Sequence, residues 1–265
     1  MGETRPFRRF APLRSGLCLE VASKEPAPGG NRGSIRFALN MARTKEDTKE
    51  GMEPRWPGFV ALLAVGGLHY ALPPALSIGR DWLLIILVLL FIIPKSIAHR
   101  QGHDMLYRVI GYTASGLVTL WTIGSLGLLV SRLPEHKDSP KDLLIAATFI
   151  WISNILVFAS WYWRLDAGGP IGRDTKVAKS GGFHADGAFL FPQMTIHPEF
   201  LERMGEHRWR PGFIDYLFLA FNTSTAFSPT DVPVLSRWAK ALMMVQASIS
   251  LTTIAIIAAR AVNIL

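Results

Sequence analysis

Apolar residues along this chain are concentrated in six stretches that carry few formal charges. The stretches lie at about 56–78, 82–98, 109–130, 143–163, 213–230 and 236–261. A helix of roughly 17 to 25 residues crosses the hydrocarbon core of a bilayer, and each stretch is close to that length. The second stretch reaches it if Lys95 extends its ammonium group to the interface. The pattern predicts an all-α fold, a polytopic membrane helix bundle of about six transmembrane helices.

The polar segments divide the chain further. Residues 1–50 mix Arg, Pro, Gly and charges of both signs without periodicity, so we expect a disordered N-terminal tail. The membrane domain then covers 56–265 and includes one long loop, 164–212. No apolar segment follows the first arginines, which argues against a secretory signal, and Met41 and Met52 are alternative start positions.

The charge distribution favours a membrane over a nucleic-acid partner. A net charge of +8 would suit nucleic acid in a soluble protein, but 49% of the residues are hydrophobic and only 18% are charged. With the N-terminus inside, 22 of the 28 lysines and arginines fall on the cytoplasmic side. This predicts a multi-pass protein of the plasma (inner) membrane with both termini cytoplasmic. Its expected partners are the lipid bilayer and a homo-oligomer or another membrane protein, and not nucleic acid.

Several features predict how the helices end and pack. Pro73 and Pro74 should bend or end the first helix. Gly111, Ser115 and Thr119 recur every four residues and should form a narrow face for close packing. The first four stretches are joined by short connections, so we expect sequential antiparallel neighbours.

Polar side chains at membrane depth are the first candidates for function, because they are costly in lipid unless partnered. His69, Asn154 and Gln246 fall near the middle of the first, fourth and sixth stretches. We expect them to hydrogen-bond across helices as packing contacts. A proton relay would need a chain of carboxylates or histidines at depth, which the sequence lacks.

Metal-ligand and catalytic patterns are weak. His99 and His103 stand four residues apart, a spacing that suits one helix face. The long loop offers further ligand types: His184, Asp186, His197, Glu199, Glu202, Glu206 and His207. H-E-x-x-H, G-x-S-x-G and P-loop motifs are missing. The sequence predicts no catalytic residues, metal or cofactor, with a membrane enzyme as the lesser alternative.

The C-terminal hairpin carries the most specific pattern. Asp215 to Trp238 reads DYLFLAFNTSTAFSPTDVPVLSRW and precedes an apolar helix. It resembles the pore region of two-transmembrane potassium channels, where a pore helix leads into T-x-T-T-V-G-Y-G-D. Thr223, Thr225 and Asp231 match that pattern, but the filter is degenerate: 226–230 is AFSPT, without the glycine that a potassium filter uses.

Two orientations of this hairpin follow from the sequence. A re-entrant loop like that of a channel would require the preceding helix to emerge outside, which weakens the charge asymmetry. A short crossing over 213–230 that ends at Pro229 keeps the asymmetry, and its first 17 residues would reach about 25 Å as helix. We favour the crossing.

The hairpin also resembles an uncharacterised family of bacterial multi-pass integral membrane proteins that end in D-x-L-Y-F-A-F-T…S-D-V…S-R and A-V-N-x-L. The residues that carry this resemblance are Asp215, Leu217, Phe218, Ala220, Phe221, 230–232, 236–237 and 261–265. Trp161 to Leu165 also resembles the end of that family's preceding helix. The resemblance implies a plasma-membrane protein of unknown activity.

A polar cluster near the end of the fifth stretch gives the functional hypothesis. It consists of Asn222, Thr223, Ser224, Thr225, Ser228 and Asp231. So many hydroxyl and amide groups are costly against lipid, so we expect them to line the path of an ion or small solute that the protein moves or senses. Hydroxyl bonding within the helix, and a non-catalytic membrane scaffold or assembly partner, are the alternatives.

Overall fold

A computed structural model describes residues 53–80, 82–100, 104–135, 138–180, 186–205, 209–225 and 231–262. These residues belong to one compact unit, Gly51–Leu265. The predicted disordered tail, 1–50, lies outside the described residues. The helices are α1 (Pro57–Tyr70), α2 (Leu83–Arg100), α3 (Asp104–Arg132), α4 (Pro140–Leu165), α5 (Gly169–Ser180), α6 (Pro198–Arg203), α7 (Phe213–Thr225) and α8 (Arg237–Val262). Short 3-10 turns lie at Pro74–Leu76, Leu133–Glu135, Asp166–Gly168 and Pro192–Met194.

Helical stretches long and apolar enough to cross a membrane occur three times in the described part of the chain. They are Met105–Arg132, Pro140–Lys176 and Arg237–Val262, the second of which includes α5 beyond the kink at Ala167. Helix α1 is shorter and also apolar. The prediction of an all-α membrane helix bundle is confirmed.

Helix α4 is the centre of the bundle and contacts α1, α3, α7 and α8. Helices α1 to α4 pack as sequential antiparallel neighbours, as predicted from their short connections. We call the end where α4 finishes the Trp163 end, and the end where α3 finishes and α4 starts the Leu133 end. Helix α1 also starts at the Trp163 end, since a Cβ at Gly58 would touch the Trp163 ring.

The helix boundaries follow from local chemistry. Helix α1 ends at Tyr70, just before Pro73 and Pro74, because proline cannot continue the backbone hydrogen-bond ladder. At the start of α4, the Ser139 hydroxyl accepts a hydrogen bond from the Asp142 backbone N–H at 3.1 Å. Pro140 occupies the first helical position, where its missing N–H costs nothing.

The narrow face predicted on α3 packs against α4. Thr119 Oγ1 accepts a hydrogen bond from Trp161 Nε1 at 2.8 Å, and the Gly111 carbonyl accepts one from Arg164 Nη1 at 2.6 Å. Ser115 lies between them and is fully buried. Small residues at this spacing therefore allow two α4 side chains to reach α3.

Helix α7 covers the first part of the crossing predicted over 213–230, and 226–230 lie outside the described residues. It starts at the Trp163 end, where Phe213 packs edge-to-face on Trp163, and it ends at Thr225. Its 13 residues span about 20 Å, well short of a bilayer core. The chain is back at the Trp163 end by Val234, which forms an antiparallel bridge with Phe189. Helix α7 therefore begins at one end of the bundle and the chain is back at that end by Val234, while the crossing over 213–230 stays a prediction.

The last helix runs from the Trp163 end to the Leu133 end. Helix α8 starts at the Trp163 end, where Trp238 packs on Phe189, and finishes at the Leu133 end, where Arg260 Nη2 donates to the Leu133 carbonyl at 3.4 Å. Residues 53 and 262 therefore lie at opposite ends of the bundle. The expectation that both termini are cytoplasmic stays a prediction.

The charge asymmetry survives this change. Basic residues described at the Trp163 end include Arg55, Arg108, Arg164, Arg173, Lys176, Arg210, Arg237 and Lys240. Those at the Leu133 end are Arg80, Arg132, Lys141 and Arg260. Relative to the sequence-based assignment, Arg237 and Lys240 move to the more basic end and Arg260 moves to the other end, so the bias keeps its direction.

Candidate functional site

The tip of α7 is held by one side chain of α8. Gln246 Nε2 donates to the Ala220 carbonyl at 2.7 Å and to Ser224 Oγ at 2.8 Å. Gln246 is completely buried at the middle of its helix. Gln246 therefore fixes α7 to α8 through one backbone carbonyl and one buried hydroxyl of α7.

The same amide connects α7 and α8 to the central helix. Gln246 Oε1 accepts a short hydrogen bond from the Tyr162 hydroxyl. One turn away, Asn154 Nδ2 donates to Ser250 Oγ at 2.7 Å and to the Gln246 carbonyl at 3.2 Å. The prediction that Asn154 and Gln246 hydrogen-bond across helices is confirmed.

The third polar residue predicted at depth, His69, also bonds across helices. Trp121 Nε1 donates to His69 Nε2 at 2.8 Å, so this ring nitrogen is unprotonated. Ser77 Oγ lies 3.3 Å from the same atom. His69 therefore links α1 to α3 and to the connection that follows α1.

The residues proposed to line a path divide into three groups. The hydroxyls of Thr223 and Thr225 donate to the Leu219 and Phe221 carbonyls of their own helix. Ser224 is buried against Gln246, whereas Asn222 is half-buried and Asp231 is exposed where the chain has returned. Ser228 lies outside the described residues. The structure therefore brings Asn222 to Thr225 together in the last turn of α7.

Aromatic rings close the base of the hairpin at the Trp163 end. Phe189 packs edge-to-face on Tyr162, Tyr216 and Trp238, at centroid distances of 5.3, 6.2 and 6.1 Å. The backbone beside it pairs with the returning chain, with Leu190 N donating to the Pro233 carbonyl at 3.0 Å. A segment of the long loop thus packs over the base of the C-terminal hairpin, where α7 begins and the chain returns.

Asp166 fixes this loop segment to α7. Its Oδ1 accepts from the Ala188 backbone N–H at 2.5 Å, and its Oδ2 accepts from the Tyr216 hydroxyl at 2.6 Å. A Cβ at Gly187 would collide with this carboxylate, so only glycine allows the loop to approach. Asp166 is 1% exposed and thus acts as a buried structural acceptor.

Arg173 and Glu53 form a buried ion pair next to Asp166. The carboxylate oxygens of Glu53 accept hydrogen bonds from Arg173 Nε and Nη2 at 2.8 to 3.0 Å. Glu53 Oε1 also accepts a hydrogen bond from Trp163 Nε1. Arg173 Nη1 donates to the Trp163 and Asp166 carbonyls at 2.9 and 3.0 Å. Burial raises the pKa of Glu53 above its ordinary value, although the Arg173 charge opposes this.

Sequence reasoning counted Arg164 and Arg173 only as basic loop residues and did not single out Asp166. The one available signal was position, because Arg164 and Asp166 directly follow the apolar run that ends at Trp163. Arg164 and Asp166 are directed inward by the turn that follows them, in which Ala167, Gly168 and Gly169 have positive φ. The sequence did not predict this turn.

The candidate metal ligands do not assemble in the described part of the chain, where no group of three or more His, Cys, Asp or Glu side chains could hold an ion. Asp186, His197 and Glu199 are exposed. His103, His184, Glu206 and His207 lie outside the described residues, and the side chains of His99 and Glu202 are not described.

The chain matches no protein-family model, no curated protein and no solved structure. The resemblances to a bacterial membrane-protein family and to a channel pore region therefore stay predictions. The geometry identifies the chain as an all-α membrane helix bundle whose C-terminal hairpin begins and returns at one end.

Proposed function

We propose that this protein moves or senses a small ion or solute in the plasma membrane, and that its C-terminal hairpin frames the path. The observation that carries this proposal is the course of α7, which begins at the Trp163 end and reaches the middle of α8, after which the chain returns to the same end. Irregular backbone at membrane depth is tolerated where it is buried in protein or lines a water-filled cavity. Channels and transporters use such broken elements to present backbone groups to their substrates.

The end of α7 suits a cation. The last four carbonyls of a helix have no intrahelical donor, and the macrodipole adds partial negative charge there. Gln246 fills the Ala220 carbonyl, whereas the carbonyls of Asn222 to Thr225 follow it toward the tip. The side chains of Asn222 and Thr225 add further oxygen atoms, and the sequence at 226–230 lacks the glycine of a potassium filter. We therefore propose a path without potassium selectivity.

A second copy of the chain is the proposed partner, because selectivity filters are rings to which several hairpins contribute. Helix α8 offers an exposed face of small residues for close helix packing: Ala241, Ser248, Thr252, Ala255 and Ala259. Exposed Phe218 and Phe221 on α7 add apolar surface beside it. A cyclic homo-oligomer would bring the tips of its α7 helices around one axis.

Flux measurements on proteoliposomes test the proposal. Purified protein should conduct monovalent cations above the level of empty liposomes, and Asn222→Leu combined with Thr225→Val should reduce the flux at least about tenfold by removing polar lining. Thr113→Val is the matched control, since the Thr113 hydroxyl is exposed on α3 and donates to the Val109 carbonyl of its own helix. Protein that inserts and assembles but conducts no cation would contradict a conducting path.

A non-catalytic membrane scaffold is the second candidate. One observation in its favour is that the hydroxyls of Thr223 and Thr225 donate to carbonyls of their own helix. Another is that the Gln246 side chain is occupied by hydrogen bonds that hold α7. A scaffold predicts a co-purifying membrane protein, no conductance, and no phenotype for Asn222→Leu. Flux that is present and lost in that variant would exclude it.

A further inference from the structure

Two arginines are buried at the Trp163 end, and their hydrogen bonding differs. Arg173 uses Nε, Nη1 and Nη2 in bonds to Glu53 and to two backbone carbonyls. Arg164 uses only Nη1, which donates to the Gly111 carbonyl at 2.6 Å. Its Nε and Nη2 atoms are buried and have no hydrogen-bond partner among the described residues.

An arginine in this state is costly. Arg164 is 6% exposed, so water does not replace the missing partners from an open surface. A buried charge without an opposite charge is destabilising by several kcal/mol, and an unpaired donor adds to that cost. Asp166, two residues away, directs its oxygens to Ala188 and Tyr216 and forms no hydrogen bond with Arg164 Nε or Nη2. The unused donors therefore point to an acceptor from outside the chain.

Arg164 lines a narrow cleft at the same end of the bundle. The other residues around the cleft are Tyr107, Arg108, Gly111, Tyr112, Trp163, Gly168, Gly169, Pro170 and Ile171. Together with Arg164, two of the described lining residues are arginines, and none of the described ones is acidic. The cleft is thus electropositive and lacks a carboxylate that would compete for the guanidinium groups.

The start of α5 forms one wall of the cleft. Ala167, Gly168 and Gly169 have φ values of 52, 88 and 75°, and this turn brings the first residues of the 12-residue α5 beside Arg164. A Cβ on Gly169 would lie 2.7 Å from the Arg164 carbonyl, so the approach requires glycine. In this first turn the Gly169 N–H donates to the Asp166 carbonyl and Pro170 has no N–H, so the helix dipole rather than a row of free N–H groups favours an anion here.

Arg108 completes the arrangement from α3. Its Nη2 lies 3.8 Å from the position that a Cβ on Gly172 would occupy, so its guanidinium lies against the first turn of α5. We propose that this cleft binds a phosphate group, held by Arg164 Nε and Nη2 as two parallel donors and by Arg108 and the start of α5. The Nε–Nη2 edge is the fork with which arginine binds two oxygens of one phosphate.

A phosphate group can reach the cleft from a lipid headgroup or from solution. Aromatic side chains of Tyr107, Tyr112 and Trp163 line the cleft, as at membrane interfaces, and basic pockets between helix ends bind anionic headgroups. The proposed site is independent of the hairpin path, because no cleft residue belongs to α7 or α8. Failure of the phosphate proposal would therefore not contradict the flux proposal, and failure of the flux proposal would not contradict the phosphate proposal.

The test uses the purified, delipidated full chain. Inorganic phosphate is titrated against chloride at constant ionic strength while thermal unfolding is followed, and phosphatidylglycerol is compared with phosphatidylcholine in mixed micelles. We expect phosphate or phosphatidylglycerol to stabilise the wild type, and Arg164→Gln to weaken the apparent Kd about tenfold or more, as for one lost charge-assisted hydrogen bond. Stabilisation by phosphatidylglycerol alone assigns the lipid headgroup, and stabilisation by free phosphate assigns a soluble ligand.

Two further variants keep the test decisive. Arg108→Gln changes a half-buried lining residue and should weaken binding even if Arg164→Gln does not fold. Arg203→Ala removes an exposed positive charge from α6 and should bind as the wild type does. The proposal is overturned if neither phosphate nor phosphatidylglycerol stabilises the wild type beyond chloride. It is also overturned if Arg108→Gln binds normally, or if Arg203→Ala loses as much affinity.

Discussion

Gln246 Nε2 donates to the Ala220 carbonyl at 2.7 Å, and this contact joins the middle of α8 to α7. The contact defines the depth that α7 reaches, since the helix ends five residues later at Thr225. A half-helix cannot obtain this stability from its length. It depends on polar contacts with the helices around it.

Replacing Gln246 by Leu should destabilise the hairpin. The substitution removes the Nε2 donor and leaves the Ser224 and Tyr162 hydroxyls without their partner, so we expect a loss of about 1 to 3 kcal/mol in the free energy of unfolding. Denaturation in mixed detergent micelles measures it. Thr252→Val is the control, because the exposed Thr252 hydroxyl donates to the Ser248 carbonyl of its own helix. Equal stability of the two variants would contradict the proposed role of Gln246 in stabilising the hairpin.

Gly187→Ala should release the loop segment that covers the hairpin base. Its methyl group would occupy the position of the Asp166 carboxylate and break the bonds from Ala188 and Tyr216. We expect faster proteolysis of the 186–205 segment and a lower melting temperature. Gly116→Ala is the matched control, since a Cβ there meets open space and alanine favours a helix by up to about 1 kcal/mol. If both variants behave alike, the close approach has no energetic importance.

Glu53 gives the stability a specific pH dependence. Burial raises the pKa of its carboxyl above 4.5, so between 4.5 and the raised value the folded chain binds more protons than the unfolded chain. The contribution of Glu53 to the free energy of unfolding therefore falls as the pH rises through this window. Glu53→Gln should remove that part of the slope in melting curves recorded from pH 4 to 7. An unchanged slope would show that Glu53 titrates normally.

The sequence predicted the long helices well, because each depends on a local property. Length and hydropathy defined 109–130 and 143–163 within α3 and α4, and two prolines ended α1 near Tyr70. The spacing of Gly111, Ser115 and Thr119 predicted the packing face of α3 for the same reason. Periodicity along one helix is sufficient for such features.

The hairpin and the basic cleft could not be predicted in this way. The course of the hairpin depends on pairing between Phe189 and Val234, which are 45 residues apart, and on Gln246 reaching Ala220. An apolar run of 17 residues fits a short crossing or a half-helix equally well. Counting basic residues likewise assigned Arg164 to a loop, since only the turn at 167–169 directs its guanidinium inward.

Side-specific labelling tests re-entry most directly. In a Cys18→Ser background, single cysteines at Met204, Leu235 and Ser131 are probed with a membrane-impermeant maleimide in vesicles of both orientations; all three residues are exposed. The re-entrant hairpin predicts that positions 204 and 235 react from one side and position 131 from the other. Reaction of 204 and 235 from opposite sides would mean that 213–230 crosses the membrane, and would contradict the account.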